Sequence, residues 1–373
     1  MQNRAQGARE LALRVVRDVF PALDSRRIER GAQASFDYRA RRSQLSDRDR
    51  GFAAELAYGA IKMRRALDWY LEPFIGDRDD GASPPLGPTG VIREILRLAT
   101  YELVYTQADE HATVFEFVNL AKRCSHRGLA NLVNAVLRSF LRARPVPPQR
   151  ERFENVDEYL AIRYSLPGWL VRQWRDVFGD AVETICDAVN DPPRAAVVVN
   201  TLLSTRDEIA SRLAANGIET TPSRWARDAL LVARGVASQA DGKGLWWMQS
   251  ESSALPVDVL GPQPGEAILD VCSGRGNKAL QIGARLARDG TLTCIERDAR
   301  KAAVLGCRLR EADLAASIVV ADASTEALAS GQRFDRVLLD APCSAVGVVG
   351  RHPETRWKKQ GADGERLALT QRA

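Results

Sequence analysis

An acid, a proline and a thiol follow the apolar run that ends at Leu339. They are Asp340, Pro342 and Cys343. A carboxylate can hold the donor groups of a ligand, and an activated thiol can form or resolve a covalent bond to a substrate. The polar surroundings of Cys343 argue against a buried, inert thiol. This stretch is therefore the first candidate for catalytic chemistry.

Three earlier apolar runs end in comparable residues. The first leads into DVCSGRGNKAL, where Gly274 and Gly276 precede a predicted helix, and glycine there lets the backbone and the helix amino terminus approach a ligand. The second run ends at Glu296, at the spacing where a carboxylate commonly binds ribose hydroxyls, and the third ends at Asp322. Each acid alone would more often be a helix cap, and the glycines alone could form a plain turn. Four such endings in succession favour a nucleotide-type site.

The elements that must position these residues are short strands alternating with amphipathic helices. This alternation predicts a parallel, doubly wound sheet, in which ligands bind at the carboxyl ends of the strands. The four strands are predicted at 267–271, 291–295, 317–320 and 336–339.

The first part of the chain has a different pattern. Apolar residues recur at helical spacing from residue 9 to 144, with a loop predicted at 77–90, and no strand-like alternation interrupts them. A helical connector at 156–189 is followed by a β-branched run and a helix that Thr205 caps, with Glu208 three residues later. The sequence thus predicts an all-helical domain and a small α/β module ahead of the parallel sheet.

Positive charge is concentrated in one part of the helical region. No acidic residue occurs from Phe117 to Arg150. Such a field suits a phosphate backbone, although a solvated helix face is the simpler alternative. The candidates for such phosphate contact in this stretch are Lys122, Arg123, Arg127, Arg138 and Arg142.

Composition limits the remaining possibilities. The 373 residues are 45% hydrophobic and 27% charged with a net charge of +5, as expected for a soluble protein of two or three domains. No apolar run approaches the ~20 residues that a bilayer span needs, and the amino terminus lacks a secretory signal, so a cytoplasmic protein without a membrane partner is expected. Six scattered cysteines without a C-x-x-C pair, and three histidines, argue against a metal site and against disulfides.

Three segments of the helical region resemble the NusB-type RNA-binding domain. They are ARELALRVV at 8–16, DRDRGFAAELAYGAIKMRRALDWYL at 47–71 and EHATVFEFVNLAKRCSHRGLANLVNAVLRSF at 110–140. The resemblance covers most of residues 6–144 and implies an RNA-binding helical bundle.

The strand ends resemble the S-adenosylmethionine site of RNA cytosine-5 methyltransferases, most closely the bacterial Sun-type (RsmB-like) enzymes. Their D-x-C-A-A-P-G-G-K-T loop is similar to the stretch at 270–279, with Arg275 and Asn277 in place of a proline and a glycine, and RHPETRW at 351–357 resembles a later family segment. By resemblance Glu296 binds the ribose, Asp322 the adenine side, and Asp340 lies near the methyl donor. The implied cofactor residues are Cys272, Ser273, Gly274, Arg275, Gly276, Asn277, Lys278, Glu296, Asp322 and Asp340.

The implied architecture is multidomain. An all-α NusB-like domain (1–144) precedes a helical connector with a small α/β module (145–243) and an incomplete α/β Rossmann-like methyltransferase domain (244–373). We expect a monomer whose partner is RNA, specifically ribosomal RNA.

The resemblance divides the chemistry between two thiols. Carbon 5 of cytosine is a poor nucleophile, so a thiolate adds to carbon 6 and is eliminated after methylation. By resemblance Cys343 releases the adduct, Asp340 holds the base with help from Lys278 and the Pro342 carbonyl, and the attacking cysteine belongs to a T-C-S motif on a later strand. No cysteine follows Cys343 in the 373 residues. We therefore expect that the nucleophile lies beyond Ala373 and that the chain as given is inactive.

Three alternatives stay open. Cys343 could itself be the attacking thiol. The helical domain alone would also suit a non-catalytic RNA-binding protein of the antitermination type, although such a protein has no use for the cofactor-like strand ends. A methyltransferase acting on an exocyclic amine is the third, but those enzymes typically carry an aromatic residue where this chain has Cys343.

Overall fold

The computed structural model describes residues 2–21, 30–75, 90–192, 194–232, 242–324 and 332–372, with side chains from residue 7 onward. The loop predicted at 77–90 lies, apart from Gly90, outside the described residues. The chain forms two compact units, which we call the helical unit (Met1–Pro192 with Ala345–Gly361) and the α/β unit (Pro193–Ser344 with Ala362–Ala373). These units divide the chain differently from the three predicted domains, because the helical connector joins the first unit and the module joins the second.

The helical unit confirms the all-helical prediction for its described residues. Polar caps start several of its helices: the Ser46 hydroxyl accepts from the Asp49 N–H at 3.2 Å and the Asp109 carboxylate accepts from the Ala112 N–H at 2.7 Å. The main helices are α1 (Gln2–Val19), α2 (Ala32–Ala40), α3 (Asp47–Lys62), α4 (Arg64–Ile75), α5 (Val91–Tyr105), α6 (Glu110–Cys124), α7 (Arg127–Ala143), α8 (Val156–Arg163), α9 (Gly168–Phe178) and α10 (Val182–Ala188).

One apolar core holds α1 to α7 together. Leu56, Ile95 and Phe117 are fully buried in it. A buried ion pair lies beside this core, where the Arg9 guanidinium donates to Glu102, and the Thr113 hydroxyl donates to the same carboxylate at 2.8 Å. Because both charges are paired and hydrogen-bonded, they can be buried without an unsatisfied group.

The segment Ala345–Gly361 is part of the helical unit although it follows the last strand of the α/β unit. Its short helix, Thr355–Lys358, carries the Trp357 indole N–H, which donates to the Ile61 carbonyl at 2.6 Å. The Glu354 carboxylate accepts from the Ala32 N–H at the start of α2. Glu354 and Trp357 of the RHPETRW stretch are thus held by residues that lie roughly 300 positions earlier in the chain.

The α/β unit begins with the predicted small module. Its strands form an antiparallel sheet in the order β2-β3-β1-β4, with one helix following the first strand. The predicted cap is confirmed, because Thr205 and Glu208 form a capping box at the start of that helix. The elements are β1 (Ala195–Val199), α11 (Arg206–Ala215), β2 (Thr220–Pro222), β3 (Ala229–Val232) and β4 (Trp246–Met248).

The second sheet of this unit is parallel, in the order β7-β6-β5-β8. The predicted bounds of three strands are confirmed, and the remaining strand ends at Val319 rather than at residue 320. A final helix spans Ala362–Arg372. The other elements are α12 (Glu251–Leu260), β5 (Ala267–Val271), α13 (Asn277–Leu286), β6 (Thr291–Ile295), α14 (Ala299–Glu311), β7 (Ser317–Val319) and β8 (Arg336–Leu339).

Asn200 joins the module to the parallel-sheet part of the same unit. Its buried side-chain amide donates to the carbonyls of Gly244 and Ala312, both at 2.8 Å, and its amide oxygen accepts from the Leu202 N–H at 3.2 Å. The nitrogen and the oxygen of the Asn200 side-chain amide therefore both have hydrogen-bond partners. The fixed join places the module directly against the end of α14.

Candidate cofactor cleft and basic helical face

The loop after β5 turns sharply, and its residue types explain why it can. Cys272 and Gly274 have positive φ values of 62° and 61°, and Gly276, the residue before α13, has a φ of 91°. A Cβ atom on Gly276 would lie 2.3 Å from a methyl group of the buried Leu305. Only glycine tolerates both the positive φ and the lack of space for a Cβ atom. Gly276 therefore lets α13 start close to α14 with its amino terminus toward the cleft.

Arg275 and Asn277, which replace a proline and a glycine of the family loop, have a common hydrogen-bond partner. Arg308 of α14 donates to the Arg275 carbonyl at 2.8 Å and to the Asn277 side-chain oxygen at 2.6 Å. The Asn277 amide in turn donates to the Met248 carbonyl at 3.4 Å. Burial lowers the pKa of Arg308. A side chain at position 277 thus anchors the loop in place of a second glycine.

Asp270, at the end of β5, is a buried acid without a hydrogen-bond partner. Its side chain lines the cleft, the residue is 1% exposed, and neither carboxylate oxygen is bonded within the described part of the chain. Burial raises the pKa of Asp270 to about 7. The Lys278 charge and the nearby Ser273 hydroxyl, which donates to the Asp270 main-chain carbonyl, oppose this shift, and the charges of Asp340 and Glu296 add to it. In the sequence Asp270 is part of the loop motif, but it is not among the predicted cofactor residues.

Lys278, at the start of α13, and Asp340, directly after β8, meet at the carboxyl edge of the sheet. The lysine Nζ lies 2.5 Å from the Asp340 Oδ2, and the lysine is mostly buried while the carboxylate is mostly exposed. The pairing follows from the sheet order, since β8 lies directly beside β5. The predicted neighbours are therefore in contact. The Pro342 carbonyl, two residues further on, accepts from the Gln371 side chain at 2.7 Å.

Glu296 braces the loop from the end of β6. Its two oxygens accept from the N–H groups of Gly274 and Asp298, both at 2.8 Å. One lone pair remains on each oxygen for a ligand. The Asp322 carboxylate, in contrast, accepts from Arg297 at 3.4 Å and from the Ser324 hydroxyl at 2.7 Å. The Cys343 side chain is exposed.

A cavity of about 210 Å³ collects most of the predicted cofactor residues. Its size is below the ~300 Å³ of a complete small-molecule pocket. The donor set fits part of S-adenosylmethionine, because an unpartnered buried carboxylate suits its cationic groups and the glycine loop lets the backbone approach. The cavity is lined by Ser253, Asp270, Cys272, Ser273, Gly274, Arg275, Asn277, Lys278 and Asp340.

The five predicted RNA-contact residues of the helical unit are all exposed but do not form one patch. Lys122 and Arg123 end α6 and Arg127 starts α7, whereas Arg138 and Arg142 lie at the other end of α7, on the order of 16 Å further along the helix. The partners of these last two are neutral, Asn134 and Ser139.

Arg14 and Arg17 of α1 belong to the same basic group as Lys122, Arg123 and Arg127. Burial and the charge of Glu10, which pairs with Arg14, raise the pKa of the Cys124 thiol, and the charges of Arg123, Arg17 and Arg14 oppose that shift. All three arginines therefore lie near the end of α6. The sequence interpretation missed Arg14 and Arg17, because they lie about 100 positions away on α1.

Comparison with known proteins identifies the family. Residues 6–142 match the NusB family, 166–239 the ferredoxin-like domain of RsmF/B-like methyltransferases, and 257–373 the 16S rRNA methyltransferase RsmB/F family. "Probable ribosomal RNA small subunit methyltransferase B" of Bacillus subtilis is 33% identical over 339 residues, covering 88% of this chain and 73% of the relative. The chain belongs to the ribosomal RNA small subunit methyltransferase B family.

A second relative and two solved structures agree with this. The methyltransferase B of Yersinia enterocolitica is 32% identical over 331 residues, covering 88% of this chain and 74% of the relative. PH0851 has a TM-score of 0.76 at 20% identity and covers 99% of this chain and 81% of its own. NSun6 from Pyrococcus horikoshii with SFG has a TM-score of 0.50 at 17% identity, covering 55% and 77%. At these identities the two structures support the fold alone.

Membership in the methyltransferase B family confirms the predicted resemblance and the fold class, and it makes the chain an RNA methyltransferase. The roles assigned to individual residues stay predictions. In the described part of the chain no helix is both long and apolar enough for a bilayer span, and no cluster of acidic, histidine and cysteine side chains could hold a metal ion.

Proposed function

We propose that these 373 residues carry the cofactor-binding and base-orienting part of an S-adenosylmethionine-dependent cytosine-5 methyltransferase acting on small-subunit ribosomal RNA. The observation that carries the proposal is the cleft in which the Lys278–Asp340 pair lies beside the unpartnered carboxylate of Asp270. The names of the relatives supply the ribosomal target. The cytosine-5 chemistry rests on the proline and cysteine that follow Asp340.

The cofactor would be held at the carboxyl ends of β5 and β6. Asp270 offers its carboxylate to a cationic group, Glu296 keeps one lone pair per oxygen for hydroxyls, and Gly274 allows close backbone approach. When bound, S-adenosylmethionine supplies an electrophilic methyl group.

The base would be oriented by Asp340. A carboxylate accepts from the amino group of cytosine, which uracil lacks, so Asp340 favours cytosine. Lys278 holds that carboxylate in place through the contact at 2.5 Å. The Pro342 carbonyl keeps a second lone pair beyond its bond to Gln371 and can accept from the same edge of the base.

RNA would first meet the basic side chains of the helical unit. Lys122, Arg123 and Arg127 form one group of phosphate contacts together with α1, and Arg138 and Arg142 form another. Their exposure leaves them free to reach phosphates, and such contacts make binding weaken as salt rises.

The function is tested in the host organism. Deleting the gene should remove one or more 5-methylcytosines from small-subunit ribosomal RNA, which bisulfite sequencing detects because 5-methylcytosine resists deamination. The intact gene and a gene carrying Arg288→Ala, an exposed arginine paired with Asp313, should both restore the methyl group. A gene carrying Lys278→Met should not.

Other results would assign another function. A methyl group lost from an exocyclic amine, identified by mass spectrometry of nucleosides, would indicate an amine methyltransferase. An unchanged set of ribosomal methyl groups would contradict the catalytic proposal and leave non-catalytic RNA binding.

Cys343 is expected to release the adduct rather than to attack. The 373 residues contain no T-C-S sequence, so this chain, incubated with S-adenosylmethionine and cytosine-containing RNA, should form no covalent complex on a denaturing gel. In a protein that also carries the T-C-S cysteine, Cys343→Ala or Cys343→Ser should accumulate enzyme bonded to RNA, because attack continues while elimination slows. A slowly migrating, Cys343-dependent band from the 373-residue chain would identify Cys343 as the attacking thiol.

A further inference from the structure

A second concave surface lies on the α/β unit, at the turn between β2 and β3. It has a volume of about 400 Å³, within the range of small-ligand sites. One wall comes from the module, with Arg206, Ser223, Arg224, Trp225 and Arg227, and the other from the end of α12 and the residues that follow it. It shares no lining residue with the cofactor cleft. We call it the Trp225 surface.

The indole of Trp225 is the most informative feature of this surface. The chain has seven tryptophans, all among the described residues, and Trp225 alone is exposed, at 65%. The Arg224 guanidinium lies 5.1 Å from the centre of its ring. A large apolar ring left in water next to a cation offers a face on which another planar group can stack.

The surface is also positively charged. Its ten lining residues include four arginines and one aspartate. That aspartate, Asp258, is held by the buried Arg285, which also pairs with Asp228. Arg227 has a side chain that is 80% exposed, with only a distant contact of 3.7 Å to Asp228. The positive charge at the rim therefore comes from Arg206, Arg224 and Arg227.

We propose that the Trp225 surface binds an unpaired stretch of the RNA substrate, with one base stacked on the Trp225 ring and phosphates held by the arginines at the rim. This inference rests on the proposed function, since it supplies a second RNA contact on the unit that carries the cofactor cleft. An exposed aromatic ring among arginines matches the way proteins hold single strands, in which each base offers a flat face and each phosphate a charge. Paired bases do not offer that face, so the surface selects single-stranded RNA.

The test measures the affinity of the full chain for a labelled ten-nucleotide single strand, and for the same strand in a duplex, by fluorescence anisotropy. Trp225→Ala should weaken single-strand binding roughly tenfold and leave duplex binding within about twofold. Trp225→Phe should recover most of the loss because it keeps an aromatic face. The double variant Arg224→Ala/Arg227→Ala should make binding less dependent on salt, by about 0.7 in the logarithmic slope for each lost phosphate contact.

Phe178→Ala is the matched control, because Phe178 is an exposed aromatic residue at the end of α9, in the other unit. It should bind RNA as the unchanged protein does. Equal loss of single-strand and duplex affinity in Trp225→Ala, or no loss at all, would overturn the proposal.

Failure of this inference can be told apart from failure of the proposed function. If Arg123→Glu weakens RNA binding while all variants of the Trp225 surface bind normally, the chain binds RNA elsewhere and only this inference is wrong. If Trp225→Ala abolishes binding of a polyglutamate probe but not of RNA, the surface recognises an acidic protein. The loss of ribosomal methyl groups on gene deletion tests the function independently of either result.

Discussion

Replacing Arg356 by alanine should release residues 345–361 from the helical unit. The Arg356 side chain is 1% exposed, and its guanidinium donates to the carbonyls of Ser165 at 3.0 Å, Val189 at 3.2 Å and Tyr164 at 3.3 Å, with a longer contact to Val349. Alanine would remove one hydrogen bond from each of these carbonyls, while the Tyr164 carbonyl keeps its bond from the Asn190 side-chain amide at 2.8 Å. At about 1 kcal/mol for each of the three shorter bonds, the segment should lose roughly 3 kcal/mol of its attachment.

The consequence should reach beyond the segment itself. Ser165 has a positive φ of 52°, and its hydroxyl oxygen accepts from the Arg65 N–H at the start of α4 at 3.0 Å. The Arg356 guanidinium holds that strained turn by donating to the Ser165 carbonyl. Burial lowers the pKa of Arg356 to about 9, so the guanidinium stays charged at neutral pH and keeps all its donors.

Hydrogen exchange on the full chain measures this effect. Amides of residues 345–361 should exchange roughly 100-fold faster in Arg356→Ala, since each 1.4 kcal/mol is a factor of ten. Arg356→Lys should show a smaller loss because its ammonium can still donate to a carbonyl, but protection should stay below that of the unchanged protein because one ammonium cannot reach carbonyls on three separate segments. Arg366→Ala, at an exposed arginine of the final helix, is the control and should change nothing in the segment. Unchanged protection in Arg356→Ala would mean that Trp357 and Glu354 hold the segment without it.

The strands and the edge at which the site lies could be predicted from the sequence because both depend on local patterns. Short apolar runs such as 267–271 are bounded by turn residues, and parallel strands bring their carboxyl ends to one edge. The contact between Lys278 and Asp340 is a direct result of that geometry. The cap formed by Thr205 and Glu208 is equally local.

Other features depend on contacts between distant parts of the chain, and no local pattern reports them. In sequence, Arg356 is one more charged residue in RHPETRW, and only the helical unit shows that it is buried among carbonyls. Arg14 joins the basic group through helix packing. Arg308 replaces the missing loop glycine from a helix about 30 positions away. Asp270 belongs to a recognisable motif, but the folded cleft alone shows that its carboxylate has no hydrogen-bond partner among the described residues.

Replacing Asp270 by asparagine should change the stability of the α/β unit, relative to the unchanged protein, more favourably at pH 8 than at low pH. Burial raises the pKa of Asp270 from its ordinary 3.8 to about 7, so folding favours the protonated form. Between these two values the folded state binds more protons than the unfolded state, and stability falls as pH rises. Above about pH 7 the full cost of a buried, unpartnered carboxylate is present, on the order of 4 kcal/mol, and below about pH 4 it is absent.

The asparagine side chain has nearly the same shape and no charge to bury. Its amide carries its own cost for unmade hydrogen bonds, but that cost does not change with pH. The difference between Asp270→Asn and the unchanged protein should therefore shift in favour of asparagine as pH rises from 5 to 8. Protection of the amides of β5 and β6 against hydrogen exchange, corrected for intrinsic rates, measures this difference.

Asp298→Asn is a control of opposite sign. Asp298 caps α14 by accepting from the N–H groups of Arg300 and Lys301, and these bonds lower its pKa. Its contribution to stability is therefore present above its unfolded pKa and is lost as pH falls through the lower folded value, so asparagine there should become less harmful at low pH. If the difference between Asp270→Asn and the unchanged protein stayed constant from pH 5 to 8, the Asp270 carboxylate would have an ordinary pKa. An acid with an ordinary pKa in that cavity has a partner, and a partnered Asp270 is not available to the cationic groups of S-adenosylmethionine.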